Sequence, residues 1–359
     1  MKIIQLLPTI AFGDAVSNDT RAIRKIIEEM GFETEIYAEH IDVRLPKGTA
    51  RSVGRLSRLQ DDDILIYHGS TGTELNFDLP NYGGRQVMIY HNITPPVFFH
   101  DYAPELERET EYGYKGIRNL ADKVAYCVAD SDYNRQDLRQ MGYNQEIDVC
   151  PIIIPFEDYE KKPDQQIINK YRDDGWTNAL FVGRLAPNKK EEDVIRSFFC
   201  YQRDYNPKSR LFLVGGGDGG MYERRLRNYV QYLGISDRVI LTGHIKFDAI
   251  LAYYTLADVF VCMSEHEGFC VPLAEAMFFD TPIVAYRSSA VPETLGQGGM
   301  LLDEKDPNLV AAVIDRIVRD EGLRAYLSKA QKARLAQLQY GIVKEKMQAC
   351  IKKMLQIQR

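Results

Sequence analysis

The sequence lacks the features that mark several large classes of protein. Its six cysteines, Cys127, Cys150, Cys200, Cys262, Cys270 and Cys350, are scattered, with no CxxC pair and no Cys/His cluster. That excludes a zinc-ribbon pattern and gives no disulfide framework, so reduced thiols are expected. Basic residues are not in excess: 45 Lys and Arg stand against 51 Asp and Glu, for a net charge of -6. Binding a phosphate backbone needs the opposite balance, and nucleic acid is not expected as a partner. No apolar run is long enough to cross a bilayer, and MKIIQLLPTIAFGD meets its first proline too early for a secretory core. A cytoplasmic protein is expected, with at most peripheral contact at the inner face of a membrane. Low-complexity segments are also missing.

What is present is 359 residues, 45% apolar and 27% charged, a length that accommodates two domains with separate cores. In the first half KIIQLL, ETEIYA, DILIYH, RQVMIYH, VAYCVADS and IDVCPIII are short β-branched or apolar runs, which read as strands of a mostly parallel sheet. Asn18 to Met30 opens with cap-type residues, carries Ile23, Ile26 and Ile27 on one face and stops at Gly31, as an amphipathic helix does. The rhythm repeats in NALFVGR, RLFLVGGG, RVILTGH, ADVFVCM, PIVAYR and GGMLL, with helical patterns at Glu191 to Tyr201 and Tyr222 to Leu233. Strands alternating with helices imply an α/β protein of two Rossmann-like doubly wound domains, facing each other across a cleft. The expected bounds are 1–160, 161–335 and a C-terminal helix at 336–359 that packs back on the first domain. The hinge is expected in PIIIPFEDYEKKPDQQ.

Ligands of such folds sit beyond the carboxyl ends of the strands, and two strand ends carry chemistry. ADVFVCMSEHEGFCVPLAEAM runs from strand to loop to helix. Pro272 suits a first helical position, and the free N–H groups of the first turn with Gly268 make an anion site. Carboxylates beside a phosphate repel it, so the natural partners of Glu267 and Glu275 are sugar hydroxyls. FVGRLAPNKKEEDVI places Arg184 after a strand glycine and Lys189 just before a helix, where a guanidinium and an ammonium can neutralise a diphosphate. Each loop alone also fits capping residues or chance; together they describe a receptor for a sugar linked to a diphosphate.

GRLAPNKK, LVGGGDGG, LTGHI and EGFCVPLAEA, in this order, resemble the retaining glycosyltransferases of family 4, with the GT-B fold. The resemblance implies that Glu267 contacts hydroxyls of the donor sugar, Glu275 the ribose, and Arg184 and Lys189 the diphosphate, with Gly215, Gly268, Phe269, Cys270 and Val271 around the nucleotide. Cys270 departs from the second glycine often found there; a small buried thiol is the ordinary alternative to a reactive one. Gly13, in the loop after the first strand, matches a glycine that approaches the diphosphate, or is an ordinary turn. His91 stands where the family often has a histidine near the transferred sugar. His68, Ser70 and Thr71, after another strand, are candidates to face the acceptor.

Other signals read as structure. Asp61-Asp62-Asp63 resembles a metal-binding DxD but precedes a strand at the wrong end, so it is expected to be a solvated turn; no catalytic metal and no cofactor are expected. The Gly215 to Gly220 run fits GxGxxG only formally. The basic stretch Arg44 to Gln60 is by default a solvated face, with an anionic lipid or lipid-linked acceptor as the sharper alternative. The expectation is a retaining, metal-independent hexosyltransferase of bacterial surface-polysaccharide assembly that moves a sugar, GDP-mannose being the first donor to consider, to a glycan or lipid-linked glycan. A nucleotide-sugar epimerase, a sugar phosphorylase and a catalytically silent binding subunit remain open alternatives.

Overall fold

Short apolar runs, bounded by loops, become two parallel sheets in the computed structural model, which describes residues 1–217 and 219–357. Asp218 of the Gly215 to Gly220 run, and Gln358 and Arg359 at the C-terminus, lie outside the described residues. The first sheet contains β1 (Lys2–Ile10), β2 (Glu33–Ile41), β3 (Arg51–Ser52), β4 (Leu59–Gly69), β5 (Gly83–Tyr90), β6 (Tyr126–Ala129) and β7 (Ile147–Val149), in the order β3-β2-β1-β4-β5-β6-β7. The second contains β8 (Thr177–Val182), β9 (Ser209–Val214), β10 (Val239–Leu241), β11 (Val259–Cys262), β12 (Ile283–Tyr286) and β13 (Met300–Leu302), in the order β10-β9-β8-β11-β12-β13. Both are doubly wound: the first strand of each lies inside the sheet, and the order reverses beside it, between β1 and β4 and between β8 and β11.

Strand residues alternate between two covered faces, as parallel strands require. In the second sheet Phe181, Leu211, Leu213, Val259 and Val261 pack with Val194, Ile195 and Phe198 of the Glu191–Asp204 helix. Their neighbours Leu180, Val182, Phe212 and Phe260 pack with Tyr253, Tyr254, Leu273 and Met277 on the other side. In the first sheet Ile3, Ile64, Ile66, Val87 and Ile89 pack with Ile23, Ile26 and Ile27 of the Ala15–Glu29 helix and with Val343, Met347, Ile351 and Met354 of the Tyr340–Gln356 helix. Among the described residues no helix is long and apolar enough to cross a membrane.

The chain divides into two compact units: Met1–Val97, Pro104–Pro155 and Leu338–Arg359 in one, Phe98–Ala103 and Phe156–Gln337 in the other. The division at Pro155 and Phe156 falls inside the proline-rich PIIIPFEDYEKKPDQQ stretch.

Some local expectations differ from the structure. The first helix begins at Ala15, because Asp14 is the residue whose carboxylate accepts from Ser17 N; Asn18 is inside it. In the C-terminal helix Ile342 is exposed, and Val343 takes the inward position. The Asp61 to Asp63 run is strand rather than turn: β4 starts at Leu59, with an irregular register between Leu59 and Ile64. There the buried Asp63 accepts from the backbone N–H groups of Lys2 (2.7 Å) and Gln60 (3.0 Å), which is a structural use of a carboxylate. In the basic stretch Arg44 pairs with Asp42 (2.6 Å) and Arg51 with Glu35 (2.8 Å).

Candidate functional site

In the second unit β8 and β11 are neighbours, so the loops that leave their carboxyl ends lie side by side at the point where the strand order reverses. Three backbone and side-chain bonds tie the loops together. Glu265 N donates to Asn188 O (2.8 Å), Asn188 Nδ2 donates to His266 O (3.0 Å), and Lys189 Nζ lies 2.5 Å from Glu267 Oε2. Glu267 is held from behind by its own backbone N–H, which donates to Ser289 Oγ (2.8 Å). Glu267 is buried and its partner Lys189 is half-buried. Burial works against the Lys189 ammonium, but the carboxylate of Glu267 outweighs it and the pKa of Lys189 is raised. An ammonium has three N–H donors; Glu267 takes one, which leaves others for an anion. Arg184, at the mouth of the same loop, is exposed and has no charged partner among the described residues.

Gly215 ends β9 beside this loop. Its φ is +136°, and a Cβ there would stand 2.0 Å from Gly183 O. Only glycine lets the two strand ends approach so closely.

The Val271–Phe278 helix starts from Cys270, which has φ 73° and ψ 63° and makes no side-chain cap bond. Pro272 has no N–H and Leu273 N donates to Cys270 O (3.0 Å), so the first-turn donor left for another acceptor is Val271 N. Gly268 is half-buried, and Phe269 and Cys270 are buried against the loop. Val271 and Glu275 are half-buried. Both carboxylate oxygens of Glu275 are taken: Tyr159 OH donates to Oε1 and Tyr254 OH to Oε2, each at 2.6 Å. Burial raises the Glu275 pKa against those two bonds. The loop before the Glu191–Asp204 helix has its own buried carboxyl, Glu191, which accepts from Ala186 N (3.3 Å) and from Tyr222 OH (2.8 Å) and is pushed up to about 8 by burial. The structure thus brings Lys189, Glu267, Gly268, Phe269, Cys270 and Val271 to one pair of adjoining loops.

In the first unit Gly13 sits in an exposed turn at φ +77° with open space beyond it. Thr71 donates to Glu109 Oε1 (2.7 Å), and Ser70 is half-buried at the end of β4. His68 is fully buried, so in this arrangement it faces the interior rather than an acceptor. His68 Nδ1 and His91 Nε2 are 2.9 Å apart, and the outer nitrogens bond Gln5 Oε1 (3.0 Å) and Asp130 Oδ2 (2.9 Å). The two rings are parallel within 4°, with centroids 5.2 Å apart. That separation equals the nitrogen contact plus a ring radius at each end, so the two nitrogens lie on the line between the rings. This is the geometry of a linear N–H···N bond; two nitrogens converging on a metal would point to one side. Although Asp19 stands beside the pair, a proton fits there better than an ion.

The proton count follows from these contacts. Burial lowers the His68 pKa far enough to keep that ring neutral, and its one proton goes to Gln5. For His91, burial opposes the charged form, but Asp130, Asp19 and Asp14 outweigh it and the pKa is raised. Both ring nitrogens of His91 are thereby committed within the first unit.

Asp19, which accepts from Ile153 N (2.7 Å), is pushed up to about 7, chiefly by burial and by Asp130, against the opposing pull of His91. A carboxyl whose folded pKa exceeds its unfolded value of about 4 holds a proton that the unfolded chain has released, so stability falls as pH rises through that window. Glu191 acts with the same sign in the second unit. The thermal midpoints are expected to fall between about pH 5 and 8, with Asp19→Asn flattening the fall in the first unit. Midpoints that rise across this range in differential scanning calorimetry would contradict the assignment.

Spacing alone gave no sign of Tyr159, Tyr254, Asp130, Gln5 or Asp19, each of which meets its partner from a distant part of the chain. Glu191 had a signal: an acidic residue in the first turn of a helix after a charged loop.

A family model described as Glycosyl transferases group 1 matches residues 164–334. The chain is 25% identical over 279 residues to O-antigen chain mannosyltransferase B of Escherichia coli, covering 74% of this chain and 68% of that protein. It spans about a third to a half of the length of other curated relatives. Among solved structures, sucrose-phosphate synthase from Thermosynechococcus elongatus superposes with a TM-score of 0.75 at 18% identity, covering 99% of each chain. HepE of Anabaena in complex with UDP-glucose gives 0.74 at 18%, covering 98% of this chain and all of that one. At such identities the likeness is one of fold, and the fold is GT-B. The segment that carries both tied loops, residues 164–334, is thus the part of the chain that matches the group 1 glycosyltransferase model.

Proposed function

We propose that the protein transfers a hexosyl group from a nucleoside diphosphate sugar to a glycan or lipid-linked glycan in bacterial surface-polysaccharide assembly, with retention at the anomeric carbon and without a metal. The observation that carries the reading is the pair of half-buried Lys189 and buried Glu267 beside a helix start with no side-chain cap. An acid and a base are placed together where a sugar and its phosphate must meet. Lys189, Arg184 and the first N–H of the Val271–Phe278 helix take the diphosphate and stabilise the charge that grows on it as the glycosidic bond breaks. Glu267, neutralised by Lys189, accepts from sugar hydroxyls without repelling the phosphate. Glu275 accepts from the ribose, and the loop of Gly215 lies along the nucleotide.

Gly13 leaves uncovered backbone at the first sheet's carboxyl edge, and Ser70 is the acceptor-side group there. His91, held by His68 and Asp130, acts as a positioning residue at this edge. No side chain in the tied loops is a ready nucleophile toward the sugar, so the leaving phosphate takes the acceptor proton on the same face. Mannose and GDP are the first choices because a curated relative that matches over 279 residues is named a mannosyltransferase.

The test is transfer from GDP-mannose to a lipid-linked acceptor, with the product's anomeric configuration read by NMR. An α product from the α donor, formed equally well in EDTA, is expected. A β product, or activity that disappears with EDTA, would sink the retaining, metal-free reading.

A further inference from the structure

Glu267 also belongs to a cluster whose two thiols sugar transfer does not use. Cys262 closes β11 and Cys270 precedes the Val271–Phe278 helix, and their sulfurs lie with a Glu267 carboxylate oxygen within 4.8 Å of one another. All three residues are buried. The ordinary reading is two small thiols filling space. Cys270 argues against it, because it sits in a left-handed conformation (φ 73°) that glycine adopts without strain. Its thiol does not cap the helix it precedes, so what the strained position gains is a sulfur facing Cys262.

Two thiolates and a carboxylate are the donor set of a soft divalent cation. Zinc binds sulfur at about 2.3 Å and carboxylate oxygen at about 2.0–2.2 Å, so three such ligands stand roughly 3.5–4 Å apart, inside the observed limit. The charges also close: a dication, two thiolates and Glu267 leave one negative charge, which the Lys189 ammonium, 2.5 Å from Glu267, neutralises. Binding releases the two thiol protons to solvent and leaves the carboxylate as it is.

We propose that Cys262, Cys270 and Glu267 form a site for a soft divalent cation of the zinc type, and that filling it closes the donor site by removing Glu267 from the sugar. The closing step rests on the role given to Glu267 above; the binding step does not. A second thiol pair, Cys150 and Cys350 in the first unit, is in contact but belongs to no carboxylate-bearing cluster of this kind among the described residues, and it serves as the internal control.

The experiment is titration of the intact protein with Cd2+, read by the thiolate-to-cadmium charge-transfer band in the ultraviolet. The band is expected to saturate at one cadmium per chain, to persist in Cys150→Ser/Cys350→Ser, and to need at least about ten times more cadmium in Cys270→Gly. Cys270→Gly relaxes the backbone, so misfolding does not confuse the result. No band at stoichiometric cadmium, or one unchanged in Cys270→Gly and Cys262→Ser, overturns the site. Where the band forms, stabilisation by a nucleotide sugar should disappear with cadmium and return with chelator. A band with undiminished donor binding overturns the closure alone, and so separates failure of the Glu267 assignment from failure of the site.

Discussion

Lys189→Ala is expected to lower kcat by about 10²- to 10³-fold, the effect of removing one preorganised donor from a developing anion. It should also destabilise the second unit. Glu267 Oε2 is 2.5 Å from the ammonium, and removing one member of a buried pair costs about 3–5 kcal/mol because the other charge stays behind. The two effects come apart in the double variant Lys189→Ala/Glu267→Gln. With no unpaired carboxylate left at position 267, most of the stability should return while activity stays lost. Denaturant midpoints and initial rates on the three variants give the answer. A Lys189→Ala enzyme with wild-type kcat would mean that the pair is structural and the anion is held elsewhere.

Glu275→Ala should have the second largest effect, for a different reason. Two tyrosine hydroxyls end on this carboxylate, and alanine leaves both without an acceptor, at about 1–3 kcal/mol for each buried group. Loss of the ribose contact should weaken nucleotide binding by about tenfold or more, as removal of a charge-assisted hydrogen bond does. Glu275→Gln keeps the shape and one acceptor oxygen, so it should recover stability before it recovers affinity. If Glu275→Gln binds nucleotide as the wild type does, the carboxylate serves the tyrosines alone. Denaturation and nucleotide titration of both variants distinguish these outcomes.

The parts of this picture that were legible in the sequence are those that depend on near neighbours. Runs such as LFLV and VFVC are apolar on both faces and could only be buried parallel strands. The placement of Lys189 before a helix and of Glu267 after a strand put both at a carboxyl edge, and sheet order then made their loops adjacent. Partnership was not legible. Tyr159 reaches Glu275 across 116 residues, and nothing at either position announces the other. Likewise His91 reads as a strand-end histidine open to a ligand, whereas His68 and Asp130, themselves the ends of the strands on either side, close both of its nitrogens. Asp61 to Asp63 misled for a related reason: an acidic run reads as a turn, but Asp63 is drawn into the strand because the N–H groups of Lys2 and Gln60 need an acceptor.

The most direct test of the central claim, a nucleoside diphosphate sugar held by the second unit, is a thermal-shift panel of GDP, UDP, ADP, CDP and dTDP in EDTA, run on the wild type and on Glu275→Ala. One diphosphate, GDP first, is expected to raise the midpoint of the wild type, by about 2.7 kcal/mol of added stability at a hundredfold excess over Kd, and to do much less for Glu275→Ala. A panel in which no diphosphate shifts the wild type, or in which the variant responds as strongly, would contradict it.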